Sequence, residues 1–134
     1  MIDFDFDRAT REASSMAGLV SEPGGNSKKV QCFPVSSLLL ALDNPTVHYF
    51  SLDIEGAELQ VLQTIPWDQV DIRVFSVETH LAGVVFPGTR QDIIEYMESV
   101  GYRLVEFTTE QTKDDLFVRN DVPLLGNPLG KEEL

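Results

Sequence analysis

VHYFSLDIEGAEL, residues 47–59, is the stretch from which the architecture of this chain is most easily read. Its first part, Val47 to Leu52, is a mostly apolar run with β-branched and aromatic residues. Such a run is typical of a strand buried on both faces, as in a parallel sheet. The run ends at Asp53, and Leu59 and Leu62 then recur on one face of a helix predicted from Gly56 to Thr64. The stretch therefore predicts a strand that ends in charged residues and leads into a helix.

The same order of elements continues downstream. A second buried strand is predicted from Ile72 to Val77, and Thr89 is a suitable N-cap for a helix from Arg90 to Val100. The short link 108–115 predicts that the last two strands form an antiparallel hairpin. The predicted elements are a helix over 35–42, strand 47–52, helix 56–64, strand 72–77, helix 90–100, and strands 102–107 and 116–118. This alternation favours an α/β fold with three layers and a mostly parallel sheet that ends in the hairpin.

The N-terminal heptapeptide MIDFDFD alternates apolar and acidic residues, which predicts a strand. Residues 8–29 are polar and small, and the sequence from Pro23 to Ser27 predicts a loop. Three segments are therefore expected: a strand with a flexible loop over 1–29, a domain over 30–120 and a tail over 121–134. The MIDFDFD strand is a candidate to cover the open edge of the strand that ends at Leu52.

Composition limits the possible partners. The chain has 134 residues and a net charge of −12, so it repels phosphate backbones and anionic membrane surfaces, and nucleic acid is not an expected partner. Its one cysteine, Cys32, lies between apolar neighbours and is expected to be buried. No Cys/His cluster has zinc spacing, so no metal site is predicted. No signal peptide or membrane-spanning run is visible, and the sequence as given predicts a cytoplasmic location.

Charged side chains follow both central strands. Asp53 and Glu55 come after the first strand, and Glu78 and His80 come after the second. Ligands of open α/β sheets bind at the carboxyl ends of the strands, so these four side chains are candidates for a shared site. Carboxylates there could accept hydrogen bonds from a hydroxyl group or attract a cation, and His80 could be a general base.

A structural explanation is also open. Acidic residues stabilise a helix N-terminus, so Asp53 could cap the following helix while Glu55 and Glu58 occupy its first turn. Gly56 could allow close packing of helix and strand, and His80 could be an ordinary structural histidine.

Two motifs resemble those of FkbM-family methyltransferase domains. D-x-E-G-A-E stands after one strand as Asp53 to Glu58, and V-E-x-H stands after the next as Val77 to His80. The resemblance covers about residues 30–120, as judged from the predicted helices and strands. The residues around Phe50 and Pro66-Trp67 are most similar to the arthropod Star-like branch of the family.

The resemblance implies a partial, Rossmann-like class I methyltransferase fold that transfers a methyl group from S-adenosylmethionine to a hydroxyl group of a small molecule or glycan. It implies catalytic roles for Asp53, Glu55, Glu78 and His80, and cofactor contacts from Asp53 and Gly56. The chain contains no G-x-G, the glycine-rich turn expected under the cofactor. We therefore expect an incomplete domain that resembles the second half of the family fold and is inactive alone.

The Star-like resemblance implies a different function. In this alternative, the chain is a non-catalytic module in vesicle traffic between endoplasmic reticulum, Golgi and endosome, located at secretory-pathway membranes. Under either hypothesis, a protein partner that supplies or covers the missing sheet edge is expected, because the first strand of the family fold has no counterpart here.

Overall fold

The computed structural model describes residues 2–5, 18–19, 27–84, 86–105 and 114–123. These residues form seven strands and three short helices. In chain order the elements are β1 Ile2–Asp5, β2 Gly18–Leu19, β3 Ser27–Val30, α1 Val35–Ala41, β4 Phe50–Leu52, α2 Glu58–Leu62, β5 Val74–Glu78, α3 Arg90–Ser99, β6 Tyr102–Val105 and β7 Asp114–Arg119. The fold is mixed α/β, as the alternation of strands and helices predicts.

The central sheet has four strands in the order β4-β5-β7-β6. β4 and β5 are parallel, with Leu52 opposite Val77, and an isolated parallel bridge between Val47 and Ile72 extends the pairing upstream. β7 is antiparallel to both β5 and β6. The predicted β6–β7 hairpin is confirmed. The expectation of a mostly parallel sheet is wrong for the described strands, because the returning strand inserts between β5 and β6 and leaves one parallel pairing of three.

The N-terminal strands form a separate antiparallel sheet in the order β2-β1-β3. β1 confirms the strand predicted from MIDFDFD. It pairs with β2 and β3, so the expectation that it covers the edge of β4 is wrong for the described residues. β3 lies partly inside the region predicted as a loop; its sequence, SKKV, has neither the alternation nor the apolar run that identifies a strand. Residues 23–26 of the predicted loop lie outside the described residues.

The core lies against one face of the four-stranded sheet. Phe75 and Phe117 are directly opposite each other on β5 and β7, so their side chains share that face. Leu39, Leu62 and Met97, one from each helix, join them in a single buried cluster. The described residues thus contribute helices to one side of the sheet, and the second helical layer of the three-layer prediction is not among them.

Aromatic rings consolidate this core. Trp67 contacts Phe75 and Tyr102 edge-on, with ring centroids 5.6 and 5.3 Å apart, respectively. The Trp67 indole N–H donates to the Tyr96 hydroxyl at 3.0 Å, and the Tyr102 hydroxyl donates to the backbone carbonyl of Ile72 at 2.6 Å. Large aromatic side chains supply much of the apolar area that a domain of this size can bury.

The helix ends follow the sequence signals in part. Thr89 caps α3, as predicted, and the structure adds a capping box with Asp92. Gly101 ends the helix with a positive φ of 94°. α1 confirms the helix predicted over 35–42, but Leu38, Leu40 and Leu42 are exposed.

Cys32 is also exposed, so the prediction that it is buried is wrong.

Candidate active site

The loop that follows β4 is held in a strained shape by a buried carboxylate. Glu55 and Gly56 have positive φ values of 61° and 103°. Oε1 of Glu58, whose residue is only 1% exposed, accepts hydrogen bonds from the backbone N–H groups of Ile54 at 3.0 Å and Gly56 at 3.1 Å. Hydrogen bonds to a charged group are strong enough to stabilise a backbone conformation that is otherwise rare.

This geometry tests the structural explanation of the acidic triplet. α2 begins at Glu58, its N-cap is Ala57, and no side chain caps it. The expectation that Asp53 caps the helix with Glu55 in its first turn is therefore wrong, since both residues precede the helix. Only Glu58 has the predicted place in the first turn.

The loop after β4 packs against the loop after β5. Gly56 is buried, and a Cβ atom at this position would lie 3.1 Å from the backbone carbonyl oxygen of Leu81. Glycine is therefore required by both the positive φ and the close approach. The contact joins the two strand ends into one rim. It also gives Gly56 a packing role, while the predicted cofactor contact of Gly56 stays a prediction.

The four predicted site residues meet on this rim. The parallel register of Leu52 with Val77 places Asp53 beside Glu78, and the two carboxyl groups are in contact. Oε1 of Glu78 lies 3.1 Å from Nδ1 of His80. Glu55 is near enough to act electrostatically on Glu78. The predicted convergence of these side chains at one edge of the sheet is confirmed, while their catalytic roles stay predictions.

The rim favours a proton on Glu78. Burial, the hydrogen bond with Asp53 and repulsion from Asp53, Glu55 and Glu58 raise the pKa of Glu78 from 4.5 to about 8. Two ionised carboxylates can only accept hydrogen bonds, so the contact between Asp53 and Glu78 is favourable only when one of them is protonated. At neutral pH the Glu78 carboxyl accordingly keeps its proton.

Two carboxylate oxygens on the rim have no donor. Oε2 of Glu55 and Oε2 of Glu78 are buried and receive no hydrogen bond within the described part of the chain. The Glu78 residue is 9% exposed, so water has little access to it. Buried polar atoms are nearly always hydrogen-bonded in folded proteins. The Glu55 oxygen is therefore an acceptor without a donor, whereas the proton on Glu78 gives that carboxyl group a donor of its own.

A second group of polar residues supports the end of β5, and the sequence did not identify it as part of the site. Asp115, at the start of β7, binds the Arg90 guanidinium through two hydrogen bonds of 2.7 Å and accepts a third from the Thr79 hydroxyl at 2.9 Å. Asp114 accepts from Ser76 at 2.9 Å. In the sequence, these residues are visible only as a pair of acids directly before the apolar run LFV. The antiparallel pairing of β7 with β5 brings the two acids to the rim.

The described residues show neither a metal-binding cluster nor a membrane-spanning helix. Within ranges 2–5, 18–19, 27–84, 86–105 and 114–123, no group of three or more His, Cys, Asp or Glu side chains is arranged to hold a metal ion. In the same ranges, no helix is long and apolar enough to cross a membrane.

The fold and rim define a mixed α/β protein with an open four-stranded sheet and an acidic site at the end of its parallel strands. The family model of the methyltransferase FkbM domain matches residues 3–104. The chain belongs to the FkbM methyltransferase domain family, and this membership supports a methyltransferase-like function. Comparison with curated proteins and comparison with solved structures each gave no match. Nothing in the comparisons supports the Star-like branch, and the predicted domain boundaries at residues 30 and 120 stay predictions.

Proposed function

We propose that this chain carries the acceptor side of a S-adenosylmethionine-dependent O-methyltransferase. Family membership supports methyl transfer, and the family generally uses S-adenosylmethionine. The observation that carries the proposal is the position of His80, whose Nδ1 lies against Glu78 on the same rim as Asp53. An imidazole oriented by a carboxyl group is a common arrangement for removing a proton from a hydroxyl group.

The charge of the rim fits the cofactor. S-adenosylmethionine, when bound, supplies a methyl group on a positively charged sulfur. Asp53 and Glu55 bring carboxyl groups to the rim beside Glu78, and their negative charge favours a nearby cation. Asp53 is exposed at the strand end and is the residue best placed to face such a ligand.

The base in this proposal is His80. Its Nδ1 is held by Glu78, which leaves Nε2 to accept the proton from the acceptor hydroxyl as the oxygen takes the methyl group. The imidazolium that forms lies among carboxyl groups, and their negative charge stabilises it. Glu78 thus has a positioning role, and most of the catalytic effect comes from holding the hydroxyl in line with the methyl group.

The proposal includes weak cofactor binding by this chain alone. The chain contains no G-x-G, the glycine-rich turn expected under the cofactor. The described residues at the rim offer mainly carboxyl groups, whereas the cofactor also has polar groups that need hydrogen-bond donors. We therefore expect an incomplete cofactor site and little or no turnover without a partner that completes it.

Amide NMR spectra recorded with millimolar S-adenosylmethionine test this proposal. We expect shift changes confined to residues 53–57 and 78–82, with an affinity too weak to saturate at micromolar concentration. Absence of any change at the rim would remove the basis for a cofactor role. Saturation at micromolar concentration would instead refute the expectation that the cofactor site is incomplete.

A transfer assay with methyl-labelled cofactor tests the base. His80→Gln should abolish whatever methylation of a hydroxyl acceptor is detected, and His48→Gln is the matched control because His48 is exposed and outside the rim. Equal loss in both variants would exclude the role of His80.

A further inference from the structure

The solvent-exposed side of α1 is apolar. Each residue of an α-helix is rotated by about 100° from the one before it, so five exposed residues of α1 form one continuous arc. Leu38, Leu40 and Leu42 are 54%, 74% and 68% exposed, respectively. We call this arc the outer face of α1; it consists of Ser37, Leu38, Leu40, Ala41 and the C-cap Leu42. None of these residues is charged, whereas a helix face that stays in water normally carries charged side chains. The composition of the outer face is therefore typical of a covered surface.

A groove lies beside the outer face, between α1 and the segment 66–70. It is lined by Ser36, Ser37, Leu40, Asn44, Gln69 and Val70. Its volume is about 290 Å³, which is at or below the lower limit of small-molecule sites, about 300–1,000 Å³. The groove therefore fits one or two side chains of a larger partner better than a whole small molecule. Its two walls are tied together, because the Asn44 side-chain amide donates to the backbone carbonyl of Gln69 at 2.7 Å.

The charge around this groove is negative. Asp43 and Asp68 each lie one residue away in sequence from a lining residue, and both are exposed. Neither carboxylate has a partner within the described residues, whereas Asp71 is bound by Arg119. α1 ends at the groove without a basic residue in its last turn, so its C-terminal carbonyl groups add to the negative potential. Residues 31–72, which contain both walls, include six acidic residues and neither lysine nor arginine.

We propose that the outer face of α1 and its groove bind a segment of another protein in which leucine-like side chains alternate with lysine or arginine. The apolar side chains of the partner cover the exposed leucines of α1. A lysine or arginine packs its apolar stem on Leu40 and Val70, and its charged end reaches towards Asp43 or Asp68. The apolar face supplies most of the affinity, and the charges select a basic partner and speed its association.

Charge disfavours two other occupants of this surface. A second copy of the chain would bring a further net charge of −12 and the same two acidic residues to the contact. An anionic membrane surface would be repelled for the same reason. The surface is also separate from the acidic rim, because none of the rim residues lines the groove. The inference therefore does not depend on methyl transfer.

Isothermal titration and amide NMR with three model peptides of about 15 residues test the inference. One peptide combines leucine and lysine at helical spacing, the second replaces lysine by glutamate, and the third replaces leucine by serine. We expect the leucine–lysine peptide to bind at least about tenfold tighter than either of the others. The amide shifts should be confined to residues 36–44 and 66–70, and added salt should weaken the binding.

Apolar variants locate the binding on α1. Leu38→Gln and Leu40→Gln, combined in one protein, should weaken binding of the leucine–lysine peptide by about tenfold or more. Both leucines are exposed and glutamine suits a helix, so the variant should keep the fold. Val84→Gln is the matched control, because it removes an apolar side chain that is 59% exposed elsewhere on the surface, and it should leave the affinity unchanged.

Charge variants test the basic character of the partner. Asp43→Asn and Asp68→Asn should each weaken binding of the leucine–lysine peptide by about threefold. Asparagine also tolerates the positive φ of 64° at position 43, so the end of α1 should be retained. Glu98→Gln, at an exposed position in the last turn of α3, removes the same charge elsewhere and should have no effect.

Several results would overturn the inference. Equal affinities for the three peptides, or an affinity that the two leucine substitutions leave unchanged, would show that the outer face does not bind a basic apolar segment. Self-association in analytical ultracentrifugation that these substitutions abolish would assign the face to a second copy instead. Binding to phosphatidylglycerol vesicles that the same substitutions abolish would assign it to a membrane. None of these results bears on cofactor binding at the rim, so the proposed function is tested separately.

Discussion

Replacing Glu78 by glutamine should change how the stability of the protein depends on pH. The pKa of Glu78 is raised from 4.5 to about 8 by burial first, and then by the hydrogen bond and charge of Asp53 and the charges of Glu55 and Glu58. Its folded state therefore holds a proton that the unfolded chain releases. The stability that this group contributes is fully present below pH 4.5 and is lost as the pH rises through about 8.

The magnitude follows from that interval. At about 1.4 kcal/mol per pKa unit, the whole shift corresponds to at most about 5 kcal/mol, and the part above about pH 5.5 to at most about 3 kcal/mol. Relaxation of the rim and entry of water reduce these limits. Glu78→Gln has no such loss, because the amide is neutral at every pH and can donate to Asp53 as the protonated acid does.

Urea denaturation at about pH 5.5 and at about pH 9 measures the effect, with the fluorescence of Trp67, the one tryptophan, as the signal. Urea is preferred to guanidinium because it does not screen charge. We expect the free energy of unfolding of Glu78→Gln, relative to the parent, to rise between the two pH values by on the order of 2–3 kcal/mol. Glu98→Gln, at an exposed position, should show no such rise.

A constant difference between Glu78→Gln and the parent at the two pH values would refute this reasoning. It would mean that Glu78 is ionised throughout the range and that the contact with Asp53 does not hold a proton. A carboxyl ¹³C titration of Glu78 gives a direct check, since a midpoint near 4.5 would lead to the same conclusion.

Three further substitutions test the packing around the rim and the core. Gly56→Ala should lower the free energy of unfolding by about 2–3 kcal/mol, because Gly56 has a left-handed φ and lies close to a neighbouring backbone carbonyl. Gly101 has a similar φ but open space around it, so Gly101→Ala should cost only about 1 kcal/mol. Equal losses in urea denaturation would contradict the close contact at Gly56. Tyr102→Phe removes a buried hydrogen bond to a backbone carbonyl and should cost about 1–2 kcal/mol, and in the parent the phenol, whose pKa is raised to about 12 by burial, should resist ionisation in an ultraviolet titration up to that pH. Asp115→Asn breaks the buried carboxylate that binds Arg90 twice and should lower the melting temperature by an amount equivalent to about 2–4 kcal/mol, so an unchanged melting temperature would exclude a structural role for this pair.

Much of the central sheet could be predicted because its strands are apolar runs bounded by polar residues. β5 and its helix α3 follow from the run that ends at Glu78 and from the Thr89 cap, both of which act through neighbours in sequence. The meeting of Asp53 with Glu78 could also be predicted, since parallel strands place their carboxyl ends at the same edge.

The remainder depends on contacts between distant parts of the chain. The place of β7 between β5 and β6 sets the ratio of parallel to antiparallel pairings, and no local signal specifies it. The helix predicted from Gly56 begins two residues later, at Glu58, because the Glu58 carboxylate binds the backbone N–H groups of the preceding loop, in which Asp53 and Glu55 remain. β3 was missed because SKKV carries no periodicity.

The sheet order has a consequence for how the acidic rim could be extended. Among the described strands, β4 and β6 are the two borders of the central sheet, and β5 lies next to β4. Any parallel strand that another segment or molecule adds beside β4 would bring its own carboxyl end next to Asp53. A strand added beside β6 would be separated from Glu78 by two intervening strands. Among the described strands, only growth on the β4 side can thus extend the acidic rim.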